Sequence, residues 1–166
     1  MDSGIFAELG FQIDNVEMEA NSPIDTDNTY RIIFLRSFDR CFRTVKTDIA
    51  FVNGFCLRLK ARDSGIREIL NRLPVMKQTQ KLRCALYTLA NVIREVNEDD
   101  VLLLALATYC HRAMGVTSAM IDVWLECLIE TVSEYDEQFD EIVATAWRTA
   151  LSPAIETLKS GLGGEN

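Results

Sequence analysis

Histidine occurs once in the 166 residues, at His111, and that scarcity excludes much chemistry at the outset. Nucleophilic hydrolysis needs an imidazole beside its nucleophile, and Ser37, Thr117 and Ser118 have no second histidine to work with. The five cysteines, Cys41, Cys56, Cys84, Cys110 and Cys127, are odd in number and widely spaced, with no CxxC pair among them. That pattern argues against a disulfide frame and a zinc site, and for reduced thiols in a cytoplasmic protein. Only three prolines and eight glycines punctuate the chain, and Gly65 and Pro74 are the only ones between Phe55 and Met114. A helix-rich fold prefers so few breakers. Apolar runs stay well short of the roughly 18 residues that a membrane span requires. Met1-Asp2-Ser3-Gly4 offers no basic start and no uninterrupted apolar stretch, so no secretory signal is expected. Blocks of Lys and Arg are missing as well. With 17 basic against 25 acidic side chains the net charge is −8, and neither nucleic acid nor an anionic membrane is an expected partner. There is no Gly-rich phosphate loop, internal repeat or sustained heptad.

What the chain does contain is apolar content of 48%, enough for a substantial core in one all-α domain. Residues 1–29 read as an acidic extension, partly disordered or with a short helix expected at its apolar cluster of Ile5, Phe6, Leu9 and Phe11. The domain proper is expected over 30–160, and 161–166 as a flexible tail. From Tyr30 a helical period takes over through Ile33, Phe34, Phe38, Cys41, Phe42 and Val45. A second helix, 47–61, turns Ile49, Val52, Phe55, Cys56 and Leu59 inward. After Asp63-Ser64-Gly65 and a short piece with Ile66, Ile69 and Leu70, Pro74 suits the first turn of a helix running to about Val96. Gln78, Leu82, Leu86, Leu89 and Ile93 form its stripe. The acidic triplet Glu98-Asp99-Asp100 suits the start of the next helix, which is expected to end around His111, with Gly115 as its stop. Ser118–Tyr135 puts Ile121, Trp124, Leu125, Leu128 and Val132 on one side. The last helix, 139–158, carries Val143, Ala146, Trp147, Ala150 and Ala154, and Pro153 is expected to kink or shorten it. Glu126, Glu130, Glu134, Asp136 and Glu137 read as a solvated face, not a metal site, and the two tryptophans as core or interface anchors.

An ordered set of short segments then narrows the reading: Leu35-Arg36-Ser37-Phe38, Phe55-Cys56-Leu57-Arg58-Leu59, Ile66-Arg67-Glu68-Ile69-Leu70, Gln78-Thr79-Gln80-Lys81-Leu82, His111-Arg112-Ala113-Met114-Gly115-Val116, and Ala146-Trp147. Over residues 33–158 this set resembles a bacterial single-domain globin, similar to the globin domain of flavohaemoglobins. The resemblance implies a globin fold with three-over-three helix packing around a haem slot, haem b (iron protoporphyrin IX) as cofactor, and His111 as the iron's axial ligand. Ala107 would let the porphyrin approach, and the Ala107 carbonyl or Thr108 would orient the imidazole. Cys56, Gln78 and Leu82 would build the opposite wall, Gln78 donating an amide hydrogen to a bound gas and Leu82 gating it sterically.

Departures from the family pattern fall at telling positions. Cys56 stands where bacterial globins usually have a tyrosine, Leu70 where a phenylalanine wedges the haem, and Met114 where a tyrosine precedes Gly115-Val116. The function implied is reversible binding of a diatomic gas, O₂, NO or CO, as carrier, scavenger or sensor. Nitric oxide dioxygenation is open as an enzymatic variant and would need a separate reductase, because no flavin or nicotinamide region fits in the chain. A homodimer is compatible with this reading. The alternative is a haem-free globin-fold interaction or sensor module.

Overall fold

The computed structural model describes residues 26–95 and 98–163, and these form seven α-helices with no strand among them. In chain order they are α1 (Thr26–Cys41), α2 (Val45–Arg62), α3 (Ser64–Asn71), α4 (Val75–Arg94), α5 (Glu98–Met114), α6 (Ser118–Tyr135) and α7 (Glu141–Leu162). The expected short helix at residues 5–11 lies outside the described residues, as does Val96.

Local chemistry explains most boundaries. Thr44 and Thr47 form a capping box at the start of α2. Asp63 serves two helices: its N–H closes α2 on the Leu59 carbonyl, and its carboxylate accepts the Ile66 N–H at the start of α3. Thr117 and Asp140 cap α6 and α7 in the same way. Pro74 stands one residue before α4, not in its first turn, and caps it without a side-chain hydrogen bond.

Three expectations are corrected by packing. Val45 opens α2 instead of closing the first stripe and is 72% exposed, because the chain bends after Phe42. Ile49 does not point inward: the buried face of α2 runs through Asp48, Phe51, Val52, Phe55 and Leu59, leaving Ile49 at its edge, 52% exposed. Pro153 does not shorten the last helix, which runs on to Leu162. Leu151, Ala154, Ile155 and Leu158 are buried on either side of it, and that burial outweighs the hydrogen bond proline cannot make.

The core sits where α1 packs along α7 and α2 along α6. Phe34 meets Trp147 edge-on at 4.6 Å between ring centroids, Phe38 stacks on Phe42 at 4.3 Å, and Tyr87 closes over both phenylalanines. A polar network is buried beside these rings. Ser37 donates to Asp136, Arg40 grips the same carboxylate with two nitrogens at 2.5 and 2.7 Å, and the Trp147 indole donates to Ser37 at 2.8 Å. Asp136 is therefore a buried structural carboxylate, and the expected solvated acidic face is confined to its neighbours. Glu126, Glu130 and Glu134 do stay at the surface, paired with Arg148, Arg62 and Arg58. Among the described residues no helix is long and apolar enough to cross a membrane.

Candidate functional site

His111 occupies the last turn of α5, and the backbone there is held by a Schellman arrangement. Gly115 adopts φ +82°, the Val116 N–H reaches back to the His111 carbonyl at 3.0 Å, and the Gly115 N–H to the Arg112 carbonyl at 3.0 Å. The helix thus runs three residues beyond His111 before glycine ends it, since only there is a left-handed residue supplied without strain.

The imidazole itself is pinned from one side. Nδ1 donates to the Ala107 carbonyl one turn back, at 2.6 Å. Of the two orienting groups considered, the carbonyl has the role, because the Thr108 hydroxyl is spent on the Leu104 carbonyl at 2.8 Å. With Nδ1 carrying the proton, Nε2 keeps its lone pair and can accept a proton or bind a metal. Ala107, His111 and Met114 form one half-buried stripe on α5, whereas Leu106, Tyr109 and Cys110 face outward. The main packing partner of α5 is α7.

A second set of residues gathers where α2, α3 and α4 meet. Cys56 and Gln78 are brought together: the thiol faces the Gln78 Oε1 at 4.0 Å, and both side chains are buried. Lys60, one turn after Cys56, donates its ammonium to the same oxygen at 3.1 Å. The Gln78 amide nitrogen donates to the Leu73 carbonyl at 2.9 Å, which engages one of its two hydrogens. Burial pushes the Cys56 thiol pKa up, and the nearby Lys60 charge offsets this only in part. Cys56 is a neutral, weak donor. Leu70 and Leu82 are buried in the core, each 8% exposed, while Gln80 is exposed as its offset from the stripe requires. Lys60 is a site residue that sequence reasoning missed. Its spacing of four from Cys56 on one helix was the available signal.

One hydrogen bond links the end of α5 to the connection between α3 and α4. Arg72, between α3 and α4, donates to the Met114 carbonyl at 3.5 Å, and Val116 packs against the same core that holds Leu70 and Leu82. Among the described residues no hydrogen bond joins His111 directly to Cys56, Gln78 or Leu82. Chemically the arrangement offers one oriented imidazole nitrogen, and a separate buried polar cluster flanked by aliphatic side chains.

No family model matches the chain, and no curated protein matches it. A solved structure does. It is a Pseudomonas aeruginosa protein described as structurally highly homologous to a human haemoglobin, 23% identical, with a TM-score of 0.69 over 81% of this chain and 99% of that one. At that identity the likeness speaks for architecture alone. Together with seven helices and no strand among the described residues, it establishes that this chain has an all-α, globin-like fold.

Proposed function

We propose that the chain is a haem-binding globin that takes up a diatomic gas, with His111 as the axial ligand. One observation carries the reading: the only imidazole in the sequence is held by its Nδ1–H on the Ala107 carbonyl, which leaves Nε2 as a free, oriented donor. The chemistry of the donor set fits haem. Among the described residues no group of three or more His, Cys, Asp and Glu side chains could hold a metal ion, whereas a porphyrin brings four nitrogens of its own and asks the protein for one. When bound, haem would supply an iron able to bind O₂, NO or CO.

The chain's own residues would do the rest. His111 would hold the metal, its ring orientation fixed by the hydrogen bond to Ala107. Small Ala107 and flexible Met114 would line the same side, with Val116 beyond the turn. Leu70 and Leu82 would exclude water from the opposite wall. The second Gln78 amide hydrogen, the one not given to Leu73, would be the polar donor offered to a gas, with Lys60 and Cys56 on the amide oxygen fixing which way the amide faces.

His111→Ala tests the reading. The purified variant should lose tight haem uptake, read as the Soret band and haem per chain after reconstitution, with helix content by circular dichroism unchanged. Full stoichiometric haem with a normal Soret band in that variant would overturn it.

A further inference from the structure

We infer that the face formed by the starts of α2 and α4 is a docking groove for the chain's own N-terminal segment, residues 1–25, with Ile5, Phe6, Leu9 and Phe11 as the anchoring residues. A cavity of about 570 Å³ lies between the two helices, walled by Ile49, Val52, Pro74 and Met76, with Lys77 and Arg83 also in its lining. It is partly open to solvent. Beside it Val75 and Met76 are 75% and 84% exposed, so the apolar surface continues beyond the cavity.

Charge selects the occupant. α4 carries Lys77, Lys81, Arg83 and Arg94 and no acidic residue, and among the described residues neither Lys77 nor Lys81 is in an ion pair. Residues 1–25 hold Asp2, Glu8, Asp14, Glu17, Glu19 and Asp25 and not one lysine or arginine. Pro74 leaves the positive end of α4 without a side-chain cap, a place where a carboxylate is stabilising. The one acid in the groove wall, Asp48, does not repel such a segment, because Arg83 and Tyr87 bind its Oδ2. Its Oδ1 is buried and has no hydrogen-bond partner among the described residues, which suits a backbone N–H arriving with the segment.

The tether is long enough. Arg31, in the second turn of α1, donates to the carbonyl of Arg94 at the far end of α4, and Met76 lies about 27 Å away along that helix. The fifteen residues from Phe11 to Thr26 reach about 50 Å when extended. Docking would cover the outer face of the helix whose inner face holds Gln78 and Leu82. The inference does not depend on what His111 binds.

Hydrogen exchange read by mass spectrometry on the full chain tests it, comparing the unaltered protein with the double variant Phe6→Asp/Leu9→Asp and with Met76→Glu/Lys77→Glu, whose sites are exposed and spare the core. Peptides covering 45–53 and 75–83 should exchange roughly threefold or more slowly in the unaltered protein than in the N-terminal variant. Met76→Glu/Lys77→Glu should speed exchange over 45–53 and residues 1–25. Equal rates over 45–53 and 75–83 in all three proteins would overturn the proposal. So would slowing that grows with protein concentration, which would make a second copy the occupant.

Discussion

At the scale of single residues, Asp136 is a buried carboxylate with a full set of partners. Its side chain is fully buried, and burial alone would raise its pKa, but the hydrogen bonds from Arg40, from Ser37 and from the Gln138 backbone prevail and hold it below the usual carboxylate range. A carboxyl whose folded pKa is depressed contributes stability that is fully present above its unfolded value, about 4, and is lost as pH falls through the lower folded value. Asp136→Asn should therefore cost about 3–5 kcal/mol at pH 7, since it leaves Arg40 and Ser37 facing a neutral amide. The variant should also lose part of the acid dependence seen below about pH 4. Urea unfolding of both proteins at pH 7 and at lower pH measures this, and equal midpoints at pH 7 would refute it. Gln78 is a different case. A buried glutamine four residues before a buried leucine was legible from the helical period, but its partners Cys56, Lys60 and the Leu73 carbonyl come from two other segments.

At the scale of elements, the position of His111 depends on how α5 sits on α7, because α7 is the main support that α5 has. Gly161 of α7 presents no side chain to Thr108 of α5; a Cβ there would collide with Thr108 Cγ2. Thr108 cannot swing aside cheaply, since it is branched at Cβ and its hydroxyl is bonded to the Leu104 carbonyl. Gly161→Ala is expected to destabilise the fold by about 1–3 kcal/mol, despite alanine's better helix propensity. Adding Thr108→Ala should recover most of that loss. Thermal unfolding of the two single variants and the double variant forms the cycle, and strict additivity would show that the two residues do not meet. Glycine in the last turns of a helix looks like an ordinary breaker in sequence. Its role as a contact point is set by a helix some fifty residues earlier.

At the scale of the whole molecule, the five cysteines divide by burial and not by sequence context, although each stands in an apolar helical stretch of the sequence. Cys41, Cys56 and Cys127 are buried, and burial pushes the Cys41 thiol up to about 12. Cys84 and Cys110 are exposed. An aromatic disulfide reagent at mild pH should modify those two in the native protein, while the other three wait for unfolding. Peptide mapping of the labelled thiols decides the matter. Rapid native labelling of Cys41 or Cys127 would mean that the core between α1, α2 and α6 opens far more readily than its packing implies.

The sequence by itself determined the helices, most of their stops and the residue most worth suspecting. Periodicity, the caps at Thr44, Asp63, Thr117 and Asp140, and the glycine after Met114 are local, so they act wherever the rest of the chain goes. Which way α2 turned was not local: Asp48 and Phe51 took the inner positions and left Ile49 at the rim, because the aromatic cluster from α1, α4 and α7 had to be met. Nor was the fate of Asp136, whose charge is buried because Arg40, ninety-six residues earlier, is held against it. The run through Pro153 was decided likewise by the core on both sides of it. Only the tertiary structure could make these choices, because each balances a local preference against burial that exists only once distant helices have come together.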